Sequence, residues 1–381
     1  MSELPPLSLY VHIPWCIKKC PYCDFNSHRA PAALPEQAYV SALQRELQHA
    51  QRAAAGRPLQ SIFFGGGTPS LFSAAAIAAV VDSAKDRMGF VDDIEITLEA
   101  NPGAAEQQRF SGYRRAGVNR LSIGVQSFDS EQLQRLGRVH DHREAHCAVA
   151  MAQRAGFARI NIDLMHGLVE QTAAQALADL NCAIDSGVEH ISWYQLTLEA
   201  NTEFYSKPPP LPSEEVLEEI AVRGHQRLLA AGFNHYEVSA YHRGSAARHN
   251  LNYWQFGDYL GIGAGAHSKI SAWVGGQLQV SRSQNSRRPE DYLSRDNPRA
   301  QSRNLAPEEL ALEFMLNALR LRQGVASELF SQRTGLPPQQ IAATVQQLQR
   351  RGLLVADTTR LQTTELGYRF LNSVVAAFDQ Q

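Results

Sequence analysis

The alternation of short β-rich runs with helical segments over the first half of this 381-residue chain is the feature that most restricts its fold. The helical segments are rich in Ala, Gln and Glu and carry apolar residues at helical spacing, as in 36–55 and 74–88. Strand-then-helix units in succession predict a parallel sheet with helices packed on it. We therefore predict an α/β fold, either a full or partial barrel or a doubly wound sheet, with strands at residues 7–13, 61–64, 94–98, 120–125, 159–164 and 190–196.

Polar or glycine-rich residues follow several of these strands directly. The run 65–69 comes after the second strand, Glu99 after the third and Gln126 after the fourth, and Asp163 lies in the fifth. In a parallel barrel the carboxyl ends of the strands meet at one edge, where active sites form. We expect the chemistry of the chain at that edge.

The second half of the chain has a different pattern. Prolines between residues 208 and 212 predict a stiff connector, and a further strand is expected at 235–241. Residues 242–305 are loop-rich, and within them the polar, irregular stretch 279–303 is interpreted as a linker.

From residue 306 onward, three predicted helices and a hairpin across 353–363 follow the order of a winged helix, which raises the question of DNA binding. Seven arginines balance seven acidic residues in 306–381, and this segment has no lysine, so it lacks the basic surface of a DNA-binding module. The whole chain has a net charge of -2, which gives no electrostatic basis for nucleic-acid binding. Packing, substrate covering or contact with a partner is the expected role.

These patterns divide the chain into a core at 1–237, an extension and linker at 238–305, and a winged-helix-like domain at 306–381. The first nine residues hold no Lys or Arg, and no apolar run reaches the about 18 residues of a membrane span. Three of the five cysteines fall within eight positions, which indicates a metal site in a reducing compartment rather than disulfides. We expect a cytoplasmic protein without a transmembrane segment.

The clustered cysteines, Cys16, Cys20 and Cys23, follow the first predicted strand with spacings of four and three. Thiolates this close in one loop can converge on one metal centre, and three of them would leave one iron of a 4Fe-4S cluster without a protein ligand. Phe25 stands two positions after Cys23, where a fourth local cysteine could lie. The open iron that results is what a catalytic metal centre needs.

Zinc is the alternative metal for this loop, in a Cys3His site that uses His12 or His28. Zinc loops usually pair cysteines two apart with a distant second half, which this sequence lacks, so we favour the iron–sulfur cluster. Cys147 and Cys182 lie within helical patterns, where we interpret them as small, buried apolar residues.

The cysteine loop, the Gly-Gly-Gly-Thr-Pro run at 65–69 and the polar residues after successive strands together resemble the radical S-adenosylmethionine (SAM) superfamily, in its coproporphyrinogen-dehydrogenase-like branch. The resemblance implies a partial (βα)6 barrel with a C-terminal winged-helix-like domain. It implies a 4Fe-4S cluster whose open iron binds SAM, which one-electron reduction cleaves to a 5′-deoxyadenosyl radical. The SAM contacts that it implies are Tyr10, Gly66, Gly67, Thr68, Glu99, Gln126, Arg138 and Asp163.

Two features separate the chain from true oxygen-independent coproporphyrinogen dehydrogenases. Phe25 replaces a cysteine of those enzymes, and only nine residues precede Tyr10, too few for their N-terminal extension. The run 249–254, His-Asn-Leu-Asn-Tyr-Trp, is similar instead to the His-Asn-x-x-Tyr-Trp signature of HemW-type haem chaperones. That similarity implies haem contacts in this segment by His249, Tyr253 and Trp254, and His267 in a glycine-rich loop is a rival iron ligand.

The resemblance thus implies a haem chaperone with a 4Fe-4S cluster, SAM and haem. Its implied partners are haem-acceptor proteins, including membrane respiratory enzymes reached by transient contact, and a second copy in a homodimer. The alternative is an enzyme, an oxygen-independent coproporphyrinogen III dehydrogenase that oxidatively decarboxylates a porphyrinogen propionate. No residue is assigned a catalytic role, because the sequence leaves open whether SAM is turned over.

We expect anaerobically reconstituted protein to hold about four irons per chain, with a broad thiolate-to-iron absorption. Replacing Cys16, Cys20 or Cys23 by Ala should abolish both signals, because three protein ligands leave no redundancy. Iron and sulfide analysis with absorption spectroscopy measures the effect, and Cys147→Ala and Cys182→Ala are the matched controls. Stoichiometric zinc without iron or sulfide after the same treatment would defeat the cluster assignment.

Overall fold

The computed structural model describes residues 3–103 and 108–379, whose strands form one large sheet and two small ones. The large sheet has 12 strands in the order β14-β13-β12-β11-β1-β4-β5-β6-β7-β8-β10-β9. The strands are β1 (Leu7–Ile13), β2 (Trp15–Cys16), β3 (His28–Arg29), β4 (Leu59–Gly66), β5 (Phe90–Ala100), β6 (Arg120–Gln126), β7 (Arg159–His166), β8 (His190–Gln195), β9 (Asn234–Glu237), β10 (Ala240–His242), β11 (Asp258–Ile262), β12 (His267–Val274), β13 (Gln277–Asn285), β14 (Arg299–Asn304), β15 (Val325–Ala326) and β16 (Arg360–Leu361).

The helices of the described residues lie between these strands and after the sheet. They are α1 (Glu36–Ala54), α2 (Ala74–Met88), α3 (Phe110–Arg115), α4 (Ser130–Arg135), α5 (His142–Arg154), α6 (Ala173–Asp185), α7 (Glu203–Ser206), α8 (Glu214–Ala230), α9 (Arg248–Trp254), α10 (Pro289–Leu293), α11 (Pro307–Ala318), α12 (Glu328–Thr334), α13 (Gln339–Arg350), α14 (Glu365–Arg369) and α15 (Leu371–Ala376). A 3₁₀ turn at Pro69–Leu71 follows β4.

The six predicted strands pair in parallel as neighbours, from β1 through β4, β5, β6 and β7 to β8. Their spatial order repeats their chain order without the reversal that defines a doubly wound sheet. The expected α/β architecture of a partial (βα)6 barrel is therefore confirmed, and the doubly wound alternative is wrong.

Local sequence signals set where the outer helices begin. Asp141 and Glu144 form a reciprocal capping box at the start of α5, and Thr172 and Gln175 form another at the start of α6. The Ser73 hydroxyl caps α2 by accepting a hydrogen bond from the Ala76 N–H at 3.2 Å. These caps satisfy backbone donors that a helix leaves unpaired, so they fix the residue at which each helix begins.

Alternation along β1 shows how the sheet separates core from site. Leu9 and Val11 are fully buried in the main hydrophobic core, which also contains Leu43 of α1. Tyr10 and His12 point to the other face, where both line a cavity. The apolar face packs on helices, so the polar face is free for chemistry.

The structure corrects two sequence interpretations in the second half of the chain. The expected single strand at 235–241 is the hairpin β9–β10 at one edge of the sheet. The stretch 279–303, interpreted as a linker, contains most of β13 and β14, which extend the other edge as antiparallel strands. Every residue of β14 is exposed, so this edge strand carries no alternation of apolar and polar residues that could reveal it in the sequence.

The C-terminal segment contains the predicted three helices, α11 to α13. The expected hairpin is reduced to a bridge between Leu354 and Thr363, and β16 pairs with β15. Two short helices that the sequence pattern did not predict, α14 and α15, follow. Phe314 and Phe330 of this segment share a second hydrophobic core with Phe256 from the loop before β11. The proposed domain boundaries remain a prediction.

One of the two isolated cysteines differs from its expected environment. Cys147 is exposed on α5, so its interpretation as a buried residue is wrong, whereas Cys182 is half-buried and packs against the main core. Across residues 3–103 and 108–379, none of the helices combines the length and apolar character needed to span a bilayer.

A buried ion cluster ties the added strands to the barrel. Asp258, at the start of β11, is fully buried and accepts hydrogen bonds from Lys269 Nζ at 2.8 Å and Arg57 Nη1 at 2.7 Å. The Ser271 N–H and hydroxyl donate to the same carboxylate. These partners hold the pKa of Asp258 below its usual value despite the opposing effect of burial, so it stays ionised.

Replacing Asp258 by Ala leaves the buried Lys269 cation without a carboxylate. We therefore expect the free energy of unfolding to fall by about 3–5 kcal/mol. Urea denaturation followed by circular dichroism measures the change. Asp93→Ala is the matched control, because the Asp93–Arg248 pair is exposed and should contribute little. Equal losses for the two variants would contradict a special role for the buried cluster.

Two adjoining cavities as the candidate functional site

The three clustered cysteines lie in the loop that leaves β1 and line one cavity of about 420 Å³. Cys16 belongs to β2, which pairs with β3, and the cysteines are free thiols. The Phe204 N–H donates to the Pro21 carbonyl at 3.0 Å, so α7 supports the loop from outside.

The donor set suits a cluster with several irons better than a single ion. No three His, Cys, Asp or Glu side chains converge as a metal-ion site within the described residues. Thiolates that bind different irons of a 4Fe-4S cluster need not converge on one point. Burial raises the pKa of the Cys16 and Cys23 thiols, so metal binding must release their protons.

The zinc alternative is disfavoured by the histidines that it would use. Both ring nitrogens of His12 have partners, because Nε2 lies 2.8 Å from the Asn26 carbonyl and Nδ1 lies 2.9 Å from the Tyr10 hydroxyl. His28 Nε2 lies 3.3 Å from the Arg287 carbonyl. Neither ring is directed to a cysteine sulfur by these bonds.

The glycine run at the end of β4 contacts the cysteine loop. The Gly67 N–H donates to the Ile13 carbonyl at 2.7 Å, and the Thr68 N–H donates to the Trp15 carbonyl at 2.8 Å. A Cβ atom on Gly67 would lie 2.5 Å from the Trp15 carbonyl oxygen, so this close approach requires glycine. Gly66, Gly67 and Thr68 all line the first cavity, so the predicted ligand contact of the run stays a prediction.

The opposite wall of this first cavity carries the polar residues predicted from the strand ends. Glu99, Gln126, Arg138 and Asp163 all line it, so the structure brings them together with the cysteines. Gln126 has a φ of 68°, a left-handed conformation that is rare outside glycine and that is frequent at functional sites.

Two of these carboxyl groups interact with each other. Burial, and after it the charge of Asp163, raises the pKa of Glu99 to about 8, although the Gly66 N–H donates to Glu99 Oε2 at 3.1 Å. Burial also raises the pKa of Asp163, which accepts hydrogen bonds from Ser122 and Asn161 at 2.9 Å each. A positively charged ligand in the space between these two acids would offset the cost of ionising them in the interior.

Arg138 connects the acidic wall to the cysteine loop. Its Nη1 lies 3.7 Å from Cys20 Sγ, and its Nη2 donates to Asn101 Oδ1 at 2.6 Å and to the Gly124 carbonyl at 2.7 Å. Asn101 is not among the SAM contacts that the resemblance implies, although it lies two residues after Glu99 at the same strand end. Its position after a predicted parallel strand is the signal that could have found it.

Tyr10 is the one predicted SAM contact that the structure places in a different cavity. This second cavity has a volume of about 790 Å³, and its lining includes the aromatic rings of Phe63, Tyr253 and Trp254. His267 and the cations Lys269, Arg282 and Arg287 also line it. Most of these basic residues come from β12 and β13, in the stretch that the sequence pattern did not resolve into strands.

The predicted haem segment lies within α9, and its residues have two different environments. Tyr253 and Trp254 line the second cavity, but His249 lines neither cavity. The His249 side chain is 8 % exposed, and its Nδ1 lies 3.1 Å from Glu95 Oε1 in the interior of the sheet. Asn250 donates to the Tyr236 hydroxyl at 3.0 Å. The first two residues of the motif therefore anchor the helix that carries the last two.

The two cavities have a wall in common. Asp24, Phe25, Gly66 and Glu99 line both of them. Phe25, the residue that replaces a fourth cysteine in this loop, is 58 % exposed between the cavities. A group bound in one cavity is thus separated from the other cavity only by these shared residues.

Comparisons with known proteins give matches to both the sheet and the C-terminal segment. A model of the radical SAM superfamily matches residues 10–180, and a model of the HemN C-terminal domain matches residues 305–370. The chain is 46 % identical to the heme chaperone HemW of Haemophilus influenzae, over 99 % of each chain. It is 36 % identical to the radical S-adenosyl methionine domain-containing protein 1 of Bos taurus mitochondria, over 97 % of this chain and 86 % of that protein.

A solved structure shows the same fold. The coproporphyrinogen III oxidase HemN of Escherichia coli superimposes with a TM-score of 0.82, at 24 % identity, over 99 % of this chain and 91 % of that one. At this identity the likeness concerns the fold, including the mixed sheet and the C-terminal helical domain.

We expect the affinity for SAM to rise with pH between 6 and about 8, by at most about tenfold per unit. Glu99 is protonated below its pKa of about 8, so a cationic ligand must displace that proton, whereas above it the carboxylate is already charged. Calorimetry in two buffers of different ionisation enthalpy measures both affinity and proton release. Glu99→Gln is the control, because it removes the titration of Glu99 and keeps that of Asp163 and of SAM's own amino group. The same slope in both proteins would rule out Glu99 as the titrating contact.

Proposed function

The chain belongs to the heme chaperone HemW family of the radical SAM superfamily, and on this basis we propose that it binds haem and transfers it to acceptor proteins. The observation that carries the proposal is the end-to-end similarity to curated heme chaperones, such as the 46 % identity over 99 % of both chains. The two adjoining cavities support it, because they offer separate places for a cofactor and for a cargo.

We assign the 4Fe-4S cluster to Cys16, Cys20 and Cys23. Three thiols that line one cavity provide a ligand for three irons and leave the fourth open. The Arg138 guanidinium lies 3.7 Å from Cys20 Sγ, so a cation stands beside the cluster ligands. When bound, the cluster supplies an open iron and one electron for SAM.

We assign SAM to the remainder of the first cavity. Its ammonium and sulfonium charges suit the two buried acids, Glu99 and Asp163, and its ribose hydroxyls can bind either carboxylate. Arg138 suits its carboxylate, and the contacts completing the set are Gly66, Gly67, Thr68 and Gln126. Tyr10 faces the second cavity, so we assign it to the neighbouring wall rather than to SAM.

We assign haem to the second cavity, through the Tyr253 and Trp254 rings. Flat apolar faces with polar edges suit a macrocycle, and the cavity of about 790 Å³ is the larger of the two. Tyr253 packs edge-on against Tyr259, with ring centroids 4.9 Å apart, so its ring is held in place. His249 is then a structural residue of the segment.

The acceptors that we propose are haem proteins, including membrane respiratory enzymes that the protein reaches by transient contact from the cytoplasm. The balanced charge of 306–381 supports a role in protein contact rather than in DNA binding. A homodimer is the proposed assembly. The dehydrogenase alternative is less well supported, because the likeness to coproporphyrinogen III oxidase extends only to the fold.

We expect the purified, cluster-loaded protein to bind about one haem per chain with a Soret band. It should restore activity to the apo form of a haem-dependent respiratory enzyme. With SAM and a reductant it should form no protoporphyrinogen from coproporphyrinogen III. Repeated turnover of coproporphyrinogen III without haem binding would reverse the assignment in favour of the dehydrogenase.

Trp254→Ala tests the proposed haem cavity. Removing the indole should weaken haem binding by about five- to tenfold without moving the Soret band, because the ring offers packing and not an iron bond. Trp273→Ala is the matched control, since Trp273 does not line the second cavity. Equal affinities for the parent and Trp254→Ala would place haem elsewhere.

A further inference from the structure

The lining of the second cavity combines aromatic and basic residues. Tyr10, Phe63, Tyr253 and Tyr259 supply aromatic surface. The paired strands β12 and β13 supply nitrogen atoms, with Lys269 opposite Arg282 and His267 opposite Gln284 in the register. Haem has matching groups, an apolar ring and two carboxylates, and its iron accepts an imidazole nitrogen.

His249 lines neither cavity, so it is not placed to bind the iron of a ligand in either one. It packs on Phe63 with ring centroids 4.3 Å apart, and its backbone N–H and Nδ1 both lie within hydrogen-bonding distance of Glu95 Oε1. Arg159 Nη1 lies 2.8 Å from the other oxygen of Glu95. Removing His249 from this network would leave a buried carboxylate with one partner fewer.

His267 has the opposite environment. It begins β12, its side chain lines the second cavity, and it is exposed. Within the described residues its ring makes no hydrogen bond, so both nitrogens are available. Partial burial, and after it the charges of Arg282 and Arg287, lowers the pKa of His267. A neutral imidazole is the form that binds iron.

The two arginines of this cavity differ in availability. Arg282 already binds Glu313 through Nε at 2.9 Å and the Tyr259 hydroxyl through Nη1 at 2.6 Å. Arg287 is exposed, and its guanidinium has no carboxylate partner in the described part of the chain. An exposed, uncompensated arginine beside a hydrophobic cavity suits a carboxylate that extends toward solvent.

We propose that haem lies in the second cavity with the His267 imidazole as an axial iron ligand and with one propionate paired to Arg287. This assignment rests on the proposed haem binding and adds the ligand and the orientation. It places the macrocycle against Tyr253 and Trp254, and it gives His249 the role of a positioning residue for α9.

Ferric haem titrated into the cluster-loaded parent and into His267→Ala tests the iron bond. The substitution should shift the Soret band, remove the imidazole signature from the electron paramagnetic resonance spectrum and weaken binding by about tenfold or more. Iron-free protoporphyrin IX should bind both proteins equally, because it has no iron to ligate. That equality also shows that His267→Ala is folded.

His267→Cys and His249→Gln complete the ligand test. A cysteine at 267 should convert the spectrum to that of a thiolate-ligated haem. His249→Gln should leave the Soret position of bound haem unchanged. A shift on His249→Gln together with an unchanged spectrum on His267→Ala would overturn the assignment.

Arg287→Gln tests the orientation of the bound haem. Haem dimethyl ester, which lacks the propionate charges, is the comparison ligand. The variant should weaken haem binding by about threefold, whereas haem dimethyl ester should bind the parent and the variant equally. Equal loss with both ligands would refute the pairing with propionate. Haem binding by the parent with no effect of His267→Ala refutes the inference alone, whereas no haem binding by the parent refutes the proposed function as well.

Discussion

The backbone contact between the end of β4 and the loop after β1 is the constraint on which the rest of the site depends. Gly67 approaches Trp15 so closely that a single Cβ atom would collide with its carbonyl, and two hydrogen bonds join the same segments. The contact fixes the cysteine loop on the strand end that carries Gly66 and Thr68. Cluster ligands and cofactor wall therefore form one unit, because neither segment can move without the other.

A buried carboxylate in the interior of the sheet fixes the position of α9, the helix at 248–254. Glu95 is 2 % exposed, and its carboxylate binds the start of α9 through the Arg248 and His249 N–H groups. Partners from several elements hold the pKa of Glu95 below its usual value against the effect of burial. Buried charges are costly unless they are paired, so the network orients α9 in a single way. That orientation brings Tyr253 and Trp254 to the cavity.

The sequence predicted the parallel strands and the first cavity well, for physical reasons. The side chains of these strands that face the helices are apolar, as in β1. The polar residues at the ends of the strands converge at one edge of the sheet. It did not predict β14, whose residues are all exposed, or the environment of Cys147, whose helical spacing does not fix its exposure. The partner of His249 could not be predicted either, because Glu95 lies 154 positions away along the chain. Contacts of that range depend on the fold, and no local pattern encodes them.

Phe25 and Glu99 belong to the walls of both cavities, and this sharing has a thermodynamic consequence. A ligand that displaces the Phe25 ring or the proton of Glu99 in one cavity changes the free energy of binding in the other. Reciprocity then requires that each ligand change the affinity for the other by the same factor. The effect of the cofactor on the affinity for the cargo and the effect of the cargo on the affinity for the cofactor therefore measure the same coupling free energy. An affinity measured with one cavity empty belongs to a different ligation state from one measured with both cavities filled.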